Sequence, residues 1–291
     1  MRHRAVVAGW GVALAMTAGC AGWRNRGGRG LDDASPTEVA RRQELSESAQ
    51  AAIDRRDFPQ ARVQLDRLVA ENPLSAEAHL RIGRVLQLQG WLDGAETEYK
   101  QALVLDPDYV DAMIGLGQIS NQLNHPADAL KLFEQAIEID PHKSEAHFAE
   151  GRTYESLNRP GDALASYFRA LEIDPTASET ILRVATIQLA RDQPDQALAR
   201  LDQVLELAPN HPEAHHRRGL AYLALKHPTE AIADLQIAAT KLPDNAEVFY
   251  HLALALDLGK KTAAALAAAE NALKLNPGYA AARTLTERLR R

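Results

Sequence analysis

Small and apolar residues return along this chain with helical spacing, and the helical blocks themselves return every 34 residues. Prolines mark that beat at positions 73, 107, 141, 175, 209, 243 and 277, half of the fourteen in the chain. Twelve residues before each stands alanine: Ala61, Ala95, Ala129, Ala163, Ala197, Ala231 and Ala265. Eight before come Leu65, Tyr99, Phe133, Tyr167, Leu201, Leu235 and Ala269. Twenty-four before come Ala49, Gly83, Gly117, Gly151, Ala185, Gly219 and Ala253. Small residues at these places let the two helices of a hairpin approach closely. The large residue then fills the space between hairpins.

Helix ends follow the same beat. Asp106-Pro107, Asp140-Pro141 and Asp174-Pro175 stop a helix, because the residue before proline is pushed out of helical geometry. A second proline ladder, Pro126, Pro160, Pro194 and Pro228, opens the second helix of a hairpin, with Asp128, Asp162, Asp195 and Glu230 close behind. Proline in a first turn loses no hydrogen bond, and acids there complement the helix dipole. Ser35-Pro36-Thr37-Glu38 has the form of a capping box and should begin the first helix. The expectation is an all-α solenoid over residues 36–279, in repeats 42–75, 76–109, 110–143, 144–177, 178–211, 212–245 and 246–279. Residues 280–291 carry Leu285 and Leu289 among charged neighbours and should form an amphipathic capping helix that keeps the stack soluble.

These offsets and residue types resemble the tetratricopeptide repeat (TPR) family over roughly residues 42–279. The aromatic usual near the start of a family repeat is mostly replaced, by Leu45, His79, Met113, His147, Ile181 and His215, with Phe249 in the last. The resemblance implies a superhelical stack whose first helices line a concave face that binds proteins or peptides. On the face of those helices turned from the core lie Leu80, Ile114, Phe148, Leu182, His216 and Tyr250. A turn later come Arg84, Gln118 and Arg152, and an acidic row (Glu77, Asp111, Glu145, Glu179, Glu213, Glu247) precedes both. The apolar row and the Arg84, Gln118, Arg152 row are the candidate partner-binding residues. Two readings of that row stand open: a groove for an extended segment or helix, or burial against the neighbouring first helix. Phe148 and Tyr250 read as binding anchors, and the acids as first-turn dipole partners. Lysine and asparagine, which make a carboxylate clamp in some family members, do not occupy these rows.

Charge and composition narrow the partners. Five of the 33 basic residues fall within residues 1–30, which hold no acid, so the remainder sets 28 bases against 39 acids, a net of −11. So acidic a body repels phosphate backbones, and nucleic-acid binding is not expected. There is no Gly-rich phosphate loop, nucleophile elbow or HExxH, so neither an enzyme nor a cofactor is expected. Of the ten histidines, His79, His147 and His215 share one repeat position, 68 residues apart, and so report architecture. His211, His215 and His216 cluster, and His251 lies one repeat on, yet no metal site is expected; a metal-dependent enzyme is the remote alternative.

The first residues read as targeting sequence. Arg2, His3 and Arg4 precede an apolar run from Ala5 to Ala18. As a helix of about 14 residues it spans roughly 21 Å, short of the ~30 Å hydrocarbon core, which favours a cleaved signal over residues 1–19. Thr17-Ala18-Gly19-Cys20 resembles the bacterial lipoprotein cleavage box, with Thr17 where leucine is most usual. That resemblance implies lipid attachment at Cys20, the sole cysteine, a membrane anchor and an extracytoplasmic location. Ala21, rather than aspartate, implies the outer membrane where there are two. Residues 20–35, rich in glycine and charge, read as a flexible tether. At the level of architecture such proteins resemble envelope adaptors, including pilotins for pilus or secretin assembly. The alternative is a self-associating or convex-face regulatory or secretion-system subunit, and the oligomeric state stays open.

Overall fold

A computed structural model describes residues 35–291; the proposed signal segment, Cys20 and nearly all of the tether lie outside that range. Its regular structure is fifteen α-helices, with no strand among the described residues. Hairpins pair α1 (Pro36–Asp54) with α2 (Phe58–Glu71), α3 (Ala76–Leu88) with α4 (Leu92–Leu105), and α5 (Val110–Gln122) with α6 (Pro126–Ile139). They continue with α7 (Ser144–Ser156) and α8 (Pro160–Ile173), then α9 (Ser178–Ala190) and α10 (Pro194–Leu207). Next come α11 (Pro212–Ala224) and α12 (Pro228–Lys241), then α13 (Ala246–Leu258) and α14 (Thr262–Leu275), before a single α15 (Ala280–Leu289). The expected seven repeats and terminal helix are all present. The described residues divide into two compact units, 35–78 and 79–291.

In the first unit α1 packs on α2, burying Ala49 and Ala52 with Ala61 and Leu65. The capping box forms as expected: Glu38 N–H donates to Ser35 Oγ at 3.3 Å, and Ser35 N–H to Glu38 Oε2 at 2.7 Å. At the same open end of the hairpin Arg41 pairs with the Glu71 carboxylate at 2.7 Å. Arg42 donates to the Glu71 carbonyl at 3.1 Å.

Turns repeat as faithfully as helices. The residues before the ladder prolines, from Asn72 to Asn276, all leave the helix with φ between −144° and −122°. Where that residue is Asp106, Asp140, Asp174 or Asn276, its side chain also accepts the N–H two residues on. Between the helices of each hairpin one residue turns left-handed: Arg56, Gly90, Asn124, Asn158, Asp192, Lys226 and Lys260, again 34 apart. Such a residue closes a helix end by turning the next N–H back onto an open carbonyl, as His125 N–H does to Ser120 at 2.8 Å.

Packing in the second unit rests on glycine against ring. Tyr99, Phe133 and Tyr167 are fully buried. A methyl group added to Gly83 would stand 2.7 Å from the Tyr99 ring, at Gly117 2.5 Å from Phe133, and at Gly151 2.6 Å from Tyr167. Tyr99 is also capped from the next hairpin, since a Cβ at Gly115 would meet its Cζ at 2.6 Å. The buried phenols keep a partner: Tyr99 donates to Gln87 Oε1 at 2.8 Å and Tyr167 to the Glu155 carboxylate. Burial, with Glu155 adding at Tyr167, pushes both phenols well above their ordinary range.

The core of this unit is a string of local clusters. One joins Met113, Phe133 and Ala136 to Ala146 and Ala149 of the next hairpin; another joins Tyr167 to Val184 and Ile187. Ile181, Leu201 and Val204 meet Ala214 in a third. The last gathers Leu235, Val248, Leu252 and Leu256 with Leu285 of α15, and Leu289 packs against it. The capping helix thus covers the end of the stack as expected, and Arg288 and Arg290 pair outward with Asp257 and Glu270 at 2.6 and 2.8 Å.

Gly117→Ala should lower stability by up to about 2 kcal/mol, an overpacking cost of ~1–3 against the ~1 that alanine gains in a helix. Gly161, whose Cβ would meet nothing within 4 Å, is the control: Gly161→Ala should leave stability equal or higher. Urea midpoints measure both.

Candidate functional site

In the second unit the first helices of successive hairpins pack on one another, α5 on α7, α9 on α11 and α11 on α13. Each second helix packs chiefly on its own partner and on the next first helix. The face built from first helices is therefore the tighter one, and the candidate residues sit on it.

The apolar row divides. Leu80, Ile114, Leu182 and His216 are 4, 2, 8 and 1% exposed, so the packing assigns them to the interior of the stack. Phe148 and Tyr250 are half-buried. Arg84 and Arg152 are exposed and Gln118 is half-buried. The acids hold the first turn of their helices, and several are paired: Glu179 with Arg183 at 3.0 Å and Glu213 with Arg217 at 2.7 Å one turn on, and Asp111 with Lys143 of the next hairpin at 2.8 Å.

Three of the candidates meet in one cleft. Gln118, Phe148 and Arg152 line a space of about 320 Å³ between α5 and α7, together with Asn121, Gln122 and Ser156. The Phe148 ring leans on Tyr167 at 5.7 Å and forms an apolar floor. Asn121 donates its amide to Thr153 Oγ1 at 2.7 Å, while its Oδ1 is buried with no protein partner. The cleft thus offers a ring, several amides and an exposed guanidinium. That set can hold a strand of backbone and one acidic side chain.

A second group lies on α11 and α13. Tyr250 stacks obliquely on His251 at 5.4 Å and on Tyr279 at 4.9 Å. His251 in turn faces His216, Nδ1 to Nε2 at 2.9 Å. Burial, with His216 and Arg217 adding positive charge, lowers the His251 pKa to about 4. Glu213, drawn down by His216 and by Arg217, is lowered to about 2.

The profile of the tetratricopeptide repeat family matches residues 47–110, 115–178 and 217–280, and a second profile of the same description matches 156–218. The chain belongs to the tetratricopeptide repeat family. No curated protein matches this TPR chain by sequence. Among solved structures it is similar to YrrB, "a TPR protein with an unusual peptide-binding site", with 20% identity over 65% of this chain and 97% of that one, TM-score 0.58. It is similar to Pseudomonas aeruginosa pilF, with 17% identity over 73% and 97%, TM-score 0.67. The Cut9–Hcn1 hetero-tetramer of APC/C gives 16% identity over 85% and 48%, TM-score 0.68. These likenesses concern the TPR fold.

The shared histidine position is structural, as its spacing suggested. His147 and His215 each bond the carbonyl of the ladder proline six residues back, Pro141 and Pro209, at 3.0 Å. Arg283 of α15 stands one period beyond Phe249 and donates to the Pro277 carbonyl at 2.7 Å in the same way. His79 instead meets Glu98 at 2.7 Å. Sequence reading missed Asp234, which is 3% exposed. It accepts two bonds from Arg218, at 2.7 and 2.8 Å, and meets His215 Nδ1 at 2.8 Å. Arg218 extends on to exposed Asp202 at 2.7 Å, and hydrogen bonding to Asp234 raises its pKa.

Asp234→Ala should cost roughly 1–3 kcal/mol, since it leaves buried His215 Nδ1 without its partner and half-buried Arg218 with exposed Asp202 alone. Asp202→Ala at the exposed end of the same arginine should cost less than about 1 kcal/mol. Equal denaturation midpoints for the two variants would contradict this division.

Proposed function

We propose that this TPR chain is a protein-binding scaffold that seats an extended segment of a partner across α5 and α7. The observation that carries the reading is the cleft in which Gln118, Gln122, Phe148 and Arg152 meet. The side-chain amides of Gln118 and Gln122 pair with the backbone of the bound segment. An apolar side chain of the partner rests on Phe148, and an acidic one pairs with Arg152. Main-chain bonds then supply affinity and the ring and guanidinium supply selectivity. YrrB, alike in fold, is itself a TPR protein with a peptide-binding site.

The location is part of the same reading. Thr17-Ala18-Gly19-Cys20 after the Ala5–Ala18 apolar run favours a lipid-anchored protein of a bacterial envelope, outside the cytoplasm and at the outer membrane where there are two. No helix among the described residues is long and apolar enough to cross a membrane. In this reading a lipid on Cys20 serves as the anchor, and the partners belong to pilus, secretin, outer-membrane or cell-wall assembly.

The test is crosslinking in membranes followed by mass spectrometry of captured proteins, for the native chain, Cys20→Ala and Arg152→Glu. Capture of envelope proteins should fall at least ~10-fold, about 1.4 kcal/mol, in Arg152→Glu without loss of membrane association. Cys20→Ala should leave the membrane. Cytosolic partners or an uncleaved N-terminus overturn the envelope reading. Undiminished capture by both Arg152→Glu and Phe148→Asp overturns the cleft, and a changed oligomer mass in Phe148→Asp or Tyr250→Asp points to self-association instead.

A further inference from the structure

Sequence reading set aside a metal site, because the histidines fall on architectural positions. Folding nevertheless brings three donors from two hairpins to one place. His216 of α11 and Glu247 and His251 of α13 each offer a ligand atom, all within 4.8 Å of one another. Glu247 and His251 are one helical turn apart, at i and i+4, and so share a face of α13. His216 is 1% exposed and half-buried His251 faces it, whereas Glu247 stands at the exposed rim.

We propose that His216, Glu247 and His251 form a binding site for a divalent transition cation of the zinc class, joining α11 to α13.

Two imidazoles and a carboxylate are the donor set that zinc accepts, and magnesium or calcium, which prefer oxygen, do not. Distances agree. The nitrogens of His216 and His251 lie 2.9 Å apart. Two ligands on a tetrahedral zinc with bonds of 2.0–2.1 Å stand about 3.3 Å apart, so the rings need to part by only ~0.4 Å. Glu247, at the rim, closes its remaining distance by side-chain rotation. Three protein donors leave one position for water.

The atoms behind the donors fit as well. His216 Nδ1 is buried with no hydrogen-bond partner, 3.8 Å from Glu213 Oε2. In the metal-free pair one ring must donate its facing N–H to the other. When a cation takes both facing nitrogens, each ring carries its single proton on the far nitrogen, which for His216 is the atom beside Glu213. A carboxylate behind a ligating histidine is the usual arrangement that fixes its tautomer. Arg217, the nearby cation, is itself held by Glu213 at 2.7 Å.

Isothermal titration of the untagged full chain with zinc chloride tests the proposal. One zinc per chain is expected, with no heat from magnesium. Glu247→Gln and His251→Asn should each weaken binding more than ~10-fold, the loss caused by removing even an outer partner. Glu145→Gln, the same repeat position three repeats earlier, should leave it unchanged. Absence of zinc binding, or binding that survives in both ligand variants, overturns the site. Circular dichroism of each variant confirms that the helices persist, so a lost site is not mistaken for a lost fold.

Discussion

Glycine on a first helix leaves a hollow the width of a methyl group, and a ring from the second helix occupies it. The contact leaves no slack, since a Cβ would stand within 2.5–2.7 Å of ring carbons at Gly83, Gly117 and Gly151. Because Tyr99 is pinned by Gly83 in its own hairpin and by Gly115 in the next, one side chain sets two distances at once: helix to helix, and hairpin to hairpin. The pairing is not one of fixed identity. Gly219 sits against Leu235, while the period supplies Ala185 with Leu201 and Ala253 with Ala269. Where first helices run, and hence which residues they present, follows from that spacing.

The architecture was legible because its determinants are local. Proline ends a helix by its own covalent geometry, and the Ser35–Glu38 box caps one within four residues. Cover between repeats was not legible. Helical period tells which face of α3, α5, α9 or α11 carries Leu80, Ile114, Leu182 or His216, but whether a neighbour reaches over that face depends on the angle between hairpins. Phe148 and Tyr250 stood out as large aromatics, a property of the residue itself. The left-handed turn escaped notice because its signal is broken: Gly90, Asn124, Asn158 and Asp192 favour it, while Arg56, Lys226 and Lys260 do not. At Lys226 and Lys260 the helix-end hydrogen bonds impose the conformation on side chains that do not favour it.

Polar chemistry sits where the repeat departs from its own rule. His216 and His251 are 35 residues apart, one off the period, so reasoning by repeat position files them in different rows although their rings touch. Asp234 shares its repeat position with Glu98, and each meets a histidine nineteen residues before it; the departure is Arg218, which stands where Ile82 does and adds a guanidinium to Asp234. Asn121, whose amide spans to the next hairpin at Thr153, is a third such departure. The repeat builds a uniform frame, and the exceptions give particular hairpins their chemistry.

The string of clusters has a consequence for how such a chain can change over generations. Each cluster is closed by residues about one period apart, so no part of the core needs a distant segment to complete it. Duplicating or deleting one 34-residue module therefore presents every remaining hairpin with a neighbour of the same shape. Length is free to vary while the fold survives. What does not survive is any feature shared between two unlike neighbours, such as the facing histidines of α11 and α13 or the amide bridge from α5 to α7. Selection on those pairs would tie the order of particular modules together within a lineage whose module number is otherwise unconstrained.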